Sequence, residues 1–296
     1  MRGVHWTVLG IGVLAGCAES MPSGSGVPAW FIGAGDIAMC GARPASESVA
    51  ASTGSLIGAN PTAAVFTLGD NAYADGSLDE YRSCYGPTWG TSRERTYPTP
   101  GNHEYHTPGA DGYFTYFGAL AGPERRGYYS FDLGLWHIVS LNSNIDAFSG
   151  SAQEQWLRAD LAAHRGQRCT MAYWHHPVFS SSSVHGNDPK MADIWQTLQE
   201  FGADVVLSGH DHGYERFAPQ AVDATPDARH GIREFVVGTG GATPYLFGTP
   251  KPNSEVRIEN TFGVIRFALR DGAYDWEFLT PSATGEWDSG HALCNE

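Results

Sequence analysis

The sequence predicts an α/β (α+β) fold with β-sheets at the centre and helices on the outside. Short apolar segments with the character of strands outnumber the helical segments, yet helical segments recur between them. The 37 Gly and 17 Pro residues supply the turns that many short elements need. Neither an internal repeat nor a linker between domains is apparent in the sequence. We therefore expect a single domain over residues 29–296.

The predicted strands are short apolar runs that end near turn-forming residues. In chain order they cover residues 29–35, 63–68, 128–133, 135–141, 169–174, 203–207, 232–237, 261–269 and 273–279. Gly134 separates the third strand from the fourth, and Asp271-Gly272 joins the last two strands into a hairpin.

Four helices are predicted between these strands. Residues 45–59 are rich in Ala and Ser with spaced apolar positions, and residues 78–85 suggest a short helix. Ser151-Ala152-Gln153-Glu154 is a capping-box pattern that opens the third helix. Pro189 favours the start of a fourth helix through Glu200, because the missing N–H of proline costs nothing in the first turn.

Residues 1–16 have the pattern of an export signal. Arg2 precedes an apolar run that is too short to span a membrane and that ends in Leu14-Ala15-Gly16-Cys17. This ending resembles the lipobox of bacterial lipoproteins, which implies cleavage before Cys17, acylation of its thiol and a flexible tether over residues 17–28. We expect an exported bacterial lipoprotein at the outer membrane or cell surface. The alternative is an ordinary cleaved signal and a secreted or periplasmic protein.

The charge balance limits the class of partner. The formal net charge is −14, so the phosphate backbone of a nucleic acid would be repelled and we expect no nucleic-acid partner. A small anionic substrate is compatible with this charge where metal ions supply local positive charge.

Four cysteines remain besides Cys17, namely Cys40, Cys84, Cys169 and Cys294. In an exported chain an even number of cysteines indicates two disulfides, for which three pairings exist. The wide, irregular spacing does not match a zinc-site pattern.

Acidic, amide and imidazole side chains gather where predicted strands end. Three of them, Asp36, Asp70 and His175, lie within two residues of the end of an apolar run. Asn102 follows the run that ends at Pro100, and His210-Asp211-His212 follows the predicted strand at 203–207. Taken singly, such residues are most often turn, solvated-loop or packed core residues. Ligand crevices of α/β sheets lie at the carboxyl ends of strands, so the five together indicate a functional site.

The complete set of motifs resembles the calcineurin-like metallophosphoesterases and, among them, the purple acid phosphatases. The motifs are Gly35-Asp36, Gly69-Asp70-Asn71-Ala72-Tyr73, Gly101-Asn102-His103-Glu104, His175 and Gly209-His210-Asp211-His212. Tyr73 is the discriminating residue, because Gly-Asp-x-x-Tyr is similar to the purple acid phosphatase form of the second motif. The resemblance covers residues 30–279 and implies a four-layer fold, with two central β-sheets packed face to face and helices on the outer faces.

The resemblance implies two metal ions that share Asp70. Asp36, Tyr73 and His212 would complete one site, and Asn102, His175 and His210 would complete the other. Anionic oxygens favour Fe(III), while nitrogens and an amide oxygen favour a divalent ion, here Zn, Fe or Mn. Two such metals can stabilise the attacking and leaving oxygens of a phosphate ester and activate a water or hydroxide.

Further roles follow from the same resemblance. His103 is expected to bind a phosphate oxygen or move a proton, and His185 to reach the substrate and protonate the leaving group. A surface-loop histidine is the alternative for His185. Glu104, which could orient His103, is expected to support the ligands from behind, together with His176 and Asn142.

The motifs also favour one disulfide pairing. Cys40 follows the Asp36 motif and Cys84 follows the Asp70 motif, so Cys40–Cys84 would brace the two loops. Cys169 starts the strand that leads to His175, and Cys169–Cys294 would clip the chain end to that strand.

The first functional hypothesis is a dinuclear-metal phosphoric ester hydrolase, most simply a phosphomonoesterase acting on a small phosphate ester. The alternatives are a phosphodiesterase or nucleotide hydrolase on the same site and, more remotely, a surface lipoprotein that binds a ligand with a vestigial metal site. The complete ligand set argues against the last. We expect a monomer that meets the membrane only through a lipid at Cys17, and we expect substrate specificity in loops at 111–126 and 180–187.

Overall fold

The protein is described by a computed structural model that covers residues 1, 26–282 and 287–295. The predicted signal segment, Cys17 and most of the predicted tether lie outside the described residues. Among the described residues, every helix is too short or too polar to cross a membrane.

The described residues form thirteen strands that belong to two sheets. In chain order they are β1 (Ala29–Ala34), β2 (Ala64–Thr67), β3 (Thr96–Tyr97), β4 (Tyr129–Leu133), β5 (Trp136–Ser140), β6 (Cys169–Tyr173), β7 (Val205–Ser208), β8 (Tyr214–Phe217), β9 (Arg233–Val237), β10 (Ser254–Ile258), β11 (Val264–Arg270), β12 (Ala273–Leu279) and β13 (Ser289–Leu293). The first sheet has the order β13-β12-β11-β1-β2-β3, and the second has the order β10-β8-β9-β7-β6-β5-β4.

The two sheets pack face to face, and the alternation of side chains along each strand builds the layers. In β6, Met171 and Tyr173 face the first sheet, whereas Ala172 belongs to the outer core under the helices. The Tyr173 ring lies 6.0 Å from Phe31 and 6.1 Å from Phe66, which are residues of the first sheet. Buried aromatic rings therefore join the two sheets along the middle of the molecule.

Helices cover the two outer faces. On the first sheet, α1 (Val49–Gly58) packs with a 3₁₀ segment (Trp89–Arg95), and α2 (Leu78–Glu80) packs with α3 (Asp111–Phe117). On the second sheet, α4 (Ala152–Ala163) and α5 (Ala192–Glu200) pack against each other. The predicted four-layer arrangement of helices around two sheets is confirmed.

The start of α4 differs in detail from the predicted capping box. Ser151 Oγ accepts a hydrogen bond from the backbone N–H of Glu154 at 3.2 Å, as expected. The Glu154 carboxylate, however, accepts from the N–H of Gly150 at 3.0 Å instead of returning to Ser151. The hydrogen bond from Ser151 is therefore the one expected of a capping box, whereas the Glu154 side chain binds the N–H of the residue before Ser151.

Several elements were not predicted. The sequence favoured a loop over residues 111–126, yet its first part is the helix α3, where aromatic side chains are buried. Strand β10 alternates charged with apolar residues, and β8 carries two adjacent charges, Glu215 and Arg216. Charges of the two strands pair with each other, as in Arg216 with Glu255. Because charged residues interrupt the apolar residues in β8 and β10, a search for apolar runs does not predict these two strands.

Both predicted disulfides are present. Cys40 and Cys84 lie with Cα atoms 5.8 Å apart, and Cys169 and Cys294 lie with Cα atoms 5.7 Å apart. The first ties the loop after Asp36 to the segment after α2. The second ties the end of β13 to the start of β6, and so links the two sheets.

Candidate metal centre

The predicted ligands converge at one edge of the two sheets. In the first sheet β1 and β2 are parallel neighbours, and they lead to Asp36 and Asp70. In the second sheet β6 and β7 are parallel neighbours, and they lead to His175 and His210. Because the strands of each pair run the same way, their carboxyl ends open onto the same edge, where crevices of such sheets lie.

The backbone aims three of these side chains from an unusual conformation. Asp36, Asp70 and His210 have φ values of 59°, 48° and 69°, in the left-handed region that non-glycine residues rarely adopt. Hydrogen bonds fix this path: Asp36 N donates to Gly69 O at 3.0 Å, and His210 N donates to Asp36 Oδ2 at 2.9 Å. Strained backbone of this kind persists where the surroundings over-determine it, typically at functional sites.

Two glycines let the strand-end loops approach each other. A Cβ atom at Gly69, whose φ is 83°, would lie 2.7 Å from the Cα of Gly101. A Cβ atom at Gly101 would lie 2.1 Å from Asp70 Oδ1 and would displace that carboxylate. Glycine at these motif positions is therefore required by the close packing of the loops.

The first predicted ligand set forms a compact, buried group. The Tyr73 hydroxyl lies 3.0 Å from Asp36 Oδ1, 3.1 Å from Asp70 Oδ2 and 3.3 Å from His212 Nε2. His212 donates from Nδ1 to the carbonyl oxygen of Thr243 at 2.7 Å, which turns the lone pair of Nε2 toward the carboxylates.

The second predicted set surrounds Nε2 of His175. This atom lies 3.0 Å from Asn102 Oδ1, 3.2 Å from His210 Nδ1 and 3.3 Å from Asp70 Oδ2. His175 donates from Nδ1 to the carbonyl oxygen of Leu68 at 2.7 Å, so the other ring nitrogen points into the group. Asp70 Oδ2 thus belongs to both sets.

These separations fit the ligand shells of two cations. Two atoms bound to one metal at about 2.0–2.1 Å, with angles near 90–110°, lie roughly 3.0–3.3 Å apart. Asp36, Asp70 and His175 offer ligand atoms within 4.8 Å of one another. Facing acceptors such as Asn102 Oδ1 and a neutral imidazole repel each other unless a proton or a cation lies between them. The residues present therefore fit a pair of metal ions with Asp70 shared.

The electrostatics follow from burial and from the density of charge. Burial opposes ionisation of Asp70, but His175 and His103 outweigh it and hold the pKa of Asp70 well below its usual range. Burial lowers the pKa of His175, but Asp70 and Asp36 outweigh it and raise that pKa to about 9. Burial, His175 and His185 lower the pKa of His210 to about 2, which leaves its imidazole neutral and able to bind a metal.

The Tyr73 phenol is held in its protonated form. Burial raises the pKa of Tyr73 well above its usual value, and the carboxylates of Asp36 and Asp70 raise it further. The hydroxyl donates to these carboxylates, and only a strongly charged cation in this group would favour the phenolate.

Glu104 supports the Asp70 loop from behind. Its buried carboxylate accepts hydrogen bonds from the N–H groups of Asp70 and Asn71, both at 2.9 Å, from Gly101 N at 2.6 Å and from the Tyr81 hydroxyl at 3.0 Å. Burial and the charge of Asp70 raise the pKa of Glu104 to about 7. Its contacts are with the loop backbone rather than with the ring of His103, which we expected it to orient.

His103 lies over the rim of the first set. Its ring centroid is 4.4 Å from that of Tyr73, and its Nε2 atom is 3.7 Å from Asp70 Oδ2. The Nδ1 atom contacts the carbonyl oxygen of Ala74 at 2.5 Å, so it carries a proton. The ring is partly exposed and leaves Nε2 on the side of the metal centre.

His185 and His176 flank His210 on the second set. The exposed ring of His185 stacks on His210 with centroids 4.1 Å apart and 29° between the planes. His176 lies 4.4 Å from His210, and its Nδ1 atom is 2.7 Å from Ser143 Oγ. Burial and the neighbouring imidazoles of His175 and His210 lower the pKa of His176, so its ring supports the ligands in neutral form.

Asn142, one of the predicted supporting residues, contacts the loops beside the site and not a ligand. Its side-chain amide donates to the Tyr105 hydroxyl at 2.7 Å and to the carbonyl oxygen of Arg126 at 3.0 Å. These bonds organise the loops beside the site, whereas the neighbouring Ser143 makes the contact with His176. The strand end was predicted correctly, but the residue that reaches the site is one position later.

Tyr245 is a site residue that the sequence analysis missed. Its half-buried ring stacks on His212 with centroids 3.9 Å apart and 12° between the planes. Tyr245 follows the Gly-rich segment after β9, which is another strand end at the same edge. That position was the available signal, since no metal-ligand residue type marks the loop.

Buried carboxylates hold the serine-rich loop that carries His185. Glu215 accepts from both the N–H and the hydroxyl of Ser181, at 2.7 Å and 2.6 Å. Asp211, between the two predicted histidine ligands, accepts from the N–H of Gly186 at 3.2 Å. The loop backbone is thus fixed from below, next to the ligand set.

Another histidine cluster lies away from the centre. His137 is sandwiched between Asp160, whose Oδ2 lies 2.7 Å from Nε2, and Asp132, whose Oδ1 lies 3.0 Å from Nδ1. The ring of His164 stacks on His137 at 3.9 Å with 15° between the planes. Two stacked rings cannot both direct in-plane lone pairs at one ion, so this cluster is a structural ion-pair group.

Comparison with known proteins agrees with this geometry. The sequence model of the calcineurin-like phosphoesterases matches residues 30–214. Purple acid phosphatase 22 of Arabidopsis thaliana is 36% identical over 154 residues, which are 49% of this chain and 35% of the relative. An uncharacterised protein of Mycobacterium tuberculosis (strain ATCC 25618 / H37Rv) is 30% identical over 224 residues, which are 63% of this chain and 42% of that protein.

A solved structure shows the same fold. The purple acid phosphatase PPD1 from yellow lupin (Lupinus luteus) seeds superposes with a TM-score of 0.73 at 19% identity, over 90% of this chain and 54% of that one. The chain spans about a third to about a half of the length of the curated relatives that it matches. Together with the family match over most of the fold, these similarities show that the chain belongs to the calcineurin-like phosphoesterase family and has purple acid phosphatases among its homologues.

Proposed function

We propose that the protein is a metal-dependent phosphatase that hydrolyses phosphate monoesters with two metal ions, Fe(III) and a divalent ion such as Zn, Fe or Mn. The observation that carries the proposal is the position of Asp70. Its Oδ2 atom lies 3.1 Å from the Tyr73 hydroxyl and 3.3 Å from His175 Nε2, so one carboxylate serves both ligand sets. Homology to purple acid phosphatases supports the same activity.

The donor chemistry distinguishes the two positions. The first set, Asp36, Tyr73, His212 and Asp70, offers three oxygens that can be anionic, which suits a trivalent ion. The second set replaces the anionic oxygens of Asp36 and Tyr73 with the amide of Asn102 and imidazole nitrogens, which suits a divalent ion. Bound metals would supply positive charge for the attacking and leaving oxygens of the displacement and would lower the pKa of a water molecule.

His103 would bind the substrate. Its proton on Nδ1 is held by the carbonyl oxygen of Ala74, so Nε2 is directed toward the centre. A second proton on Nε2 would let His103 donate a hydrogen bond to a phosphate oxygen. Such a bond strengthens as negative charge accumulates on the transferring group.

His185 would complete the reaction at the leaving group. Hydrolysis breaks the bond between phosphorus and the alcohol oxygen, forms a bond from phosphorus to the oxygen of water, and leaves a charged alkoxide unless a proton arrives. The exposed imidazole of His185 stacks on His210 beside the second ligand set, and a protonated imidazole placed there would act as a general acid that gives this proton.

The activity is tested with 4-nitrophenyl phosphate and its bis-ester. We expect metal-loaded protein to prefer the monoester, to lose activity after treatment with a chelator, and to regain it when metal is returned. Faster hydrolysis of the bis-ester would favour the phosphodiesterase alternative. If metal analysis shows that the chelator has removed all metal and the protein keeps full activity, the proposed function is contradicted.

We also propose that residues 1–16 are removed and that Cys17 is acylated, so that a monomeric phosphatase is tethered to the cell envelope. The supporting observation is the sequence Leu14-Ala15-Gly16-Cys17. One acyl chain gives only marginal anchoring, so several chains are expected. Intact-mass measurement of the membrane fraction tests this, since Cys17→Ser should abolish the lipid mass. Light scattering in detergent tests the monomer.

A further inference from the structure

An apolar wall borders the metal centre on the side of His212. We use this name for Met39, Val184, Tyr245 and Leu246, which lie on backbone segments that meet beside His212. The Tyr245 ring stacks on His212 at 3.9 Å, and its centroid lies 5.7 Å from that of His185. The wall therefore begins beside a predicted metal ligand and beside the imidazole assigned to the leaving group.

Hydrogen bonds and one sulfur contact tie together the backbone segments that carry these side chains. Ser183 donates to the carbonyl oxygen of Leu246 from its backbone nitrogen at 3.0 Å and from its hydroxyl at 2.8 Å, which joins the loop of Val184 to Leu246. Tyr245 N donates to His212 O at 2.8 Å. Met39 Sδ lies 3.9 Å from the hydroxyl of Thr243, whose carbonyl oxygen holds His212.

The side chains of the wall are open to solvent. Leu246, Val184 and Met39 are 57%, 53% and 39% exposed. Large exposed apolar side chains that cluster beside a concave polar site are typical of ligand-binding surfaces. Lys190, which acts electrostatically on His210, is paired with Asp188 at 3.1 Å, so its charge is already engaged. The surface beside the metal centre can therefore contact a ligand through apolar side chains, and Lys190 adds no unpaired positive charge to it.

The apolar side chains of the wall should favour phosphate esters whose alcohol portion is apolar over those whose alcohol portion carries hydroxyl groups. A sugar would bring hydroxyl groups against Met39, Val184 and Leu246 and would lose hydrogen bonds to water there. An alkyl or aryl group would instead bury apolar area, which is favourable.

We propose that the wall is the subsite for the alcohol portion of the substrate, and that the preferred substrates are phosphate monoesters of apolar alcohols. This inference rests on the proposed function, because it places the phosphate at the metal centre. Tyr245 contributes the aromatic face nearest the reacting group, while Val184, Leu246 and Met39 extend the surface away from it.

The inference is tested with homologous n-alkyl compounds. Binding of n-alkylphosphonates, which cannot be hydrolysed, is measured by calorimetry from ethyl to hexyl, and kcat/KM is measured for the corresponding alkyl phosphates. The leaving-group reactivity is nearly constant across the series, so the chain-length dependence reports apolar contact. A wall that covers one side of the chain should strengthen binding about twofold per methylene, or roughly sixteenfold over the four methylenes from ethyl to hexyl.

Two sets of variants locate the effect. Leu246→Ser together with Val184→Ser should remove most of the chain-length dependence of binding. Leu135→Ser changes a side chain that is 56% exposed in the turn between β4 and β5, and it should keep that dependence. Equal loss in both would overturn the assignment to this wall.

The outcomes separate the inference from the proposed function. Measurable hydrolysis with affinity that does not change from ethyl- to hexylphosphonate would overturn the inference alone. No hydrolysis of any phosphate ester by metal-loaded protein, with binding that still strengthens with chain length, would overturn the proposed function and support the subsite.

Discussion

The hydroxyl of Tyr73 lies 3.1 Å from Oδ2 of Asp70, and both side chains are buried. This contact joins the phenol that distinguishes the first ligand set to the carboxylate that both sets share. A trivalent ion bound here would replace the phenolic proton and draw charge from the ring. The proposed Fe(III) site therefore predicts that the colour of iron-loaded protein depends on this pair of residues.

Tyr73→Phe removes the phenolic oxygen and keeps the ring that packs beside His103. We expect iron-loaded wild-type protein to absorb visible light and the variant to be bleached. Loss of the buried hydroxyl, which contacts Asp36, Asp70 and His212, should lower the free energy of unfolding by about 1–3 kcal/mol and leave the fold in place. Visible spectra and thermal unfolding check both points. Iron-loaded wild-type protein without colour would contradict the assignment of Tyr73.

His103→Ala should lower kcat by roughly 10²–10³-fold, because it removes the proposed hydrogen-bond donor to a phosphate oxygen and leaves every proposed metal ligand in place. The metal content per chain should stay at the wild-type value. Metal analysis and steady-state kinetics on the same preparation test this prediction. If His103→Ala empties a metal position, His103 is a ligand and the assigned role is wrong.

Glu215→Ala should loosen the loop that carries His185. The variant leaves the N–H and the hydroxyl of Ser181 without their acceptor, and an unsatisfied buried donor costs about 1–3 kcal/mol. We expect lower stability and a larger loss of kcat for esters of poor leaving groups, which need the proton from His185. Glu215→Gln keeps an oxygen that accepts from Ser181 N and should recover most of both. An equal loss for good and poor leaving groups would contradict the positioning role.

His137 predicts a specific pH dependence of stability. Burial lowers its pKa, but hydrogen bonds to Asp160 and Asp132 outweigh burial and raise it above the model-compound value of 6.5. Its contribution is therefore fully present below about pH 6.5 and is lost as the pH rises through the folded-state pKa. The pKa of Asp160 is lowered despite burial, chiefly by His137, so the contribution of Asp160 is lost as the pH falls below about 3.8.

The measurement is the difference in unfolding free energy between wild type and His137→Gln. We expect the difference to be largest between about pH 4 and 6.5, at about 1.5–3 kcal/mol for a charge-assisted bond, and to shrink toward pH 9. Acids with raised pKa values, such as Glu234 at about 8, titrate in both proteins and cancel in the difference. A difference that grows with pH would contradict the ion-pair assignment.

The ligands could be predicted from the sequence because each follows a strand within a short motif. Local spacing fixes where the carboxyl end of a strand lies, and parallel neighbours bring those ends together. His210 and His212 illustrate this, since both follow β7 directly, although the segment is bent at His210 and delivers the two rings to different ligand sets. The motifs also favoured the pairing of Cys40 with Cys84, because both follow ligand loops of adjacent strands.

The features that could not be predicted from the sequence depend on tertiary packing. Tyr245 belongs to the site only because its loop folds back over His212, and an isolated tyrosine in a Gly-rich segment carries no motif. Because Glu104 follows His103 in the sequence, we expected it to orient that ring, yet its carboxylate accepts a hydrogen bond from the backbone N–H of Asp70. Strand β8 carries Glu215 and Arg216, whose partners lie far along the chain, so its apolar pattern is interrupted.

The central claim is that two metal ions share Asp70. The most direct test is the metal content per chain of wild type and Asp70→Ala, prepared identically without chelator and measured by mass spectrometry. We expect two metal ions per wild-type chain, at least one of them iron, and loss of metal from both positions together with loss of activity in the variant. Two tightly bound ions in an active Asp70→Ala protein would contradict the shared-carboxylate account.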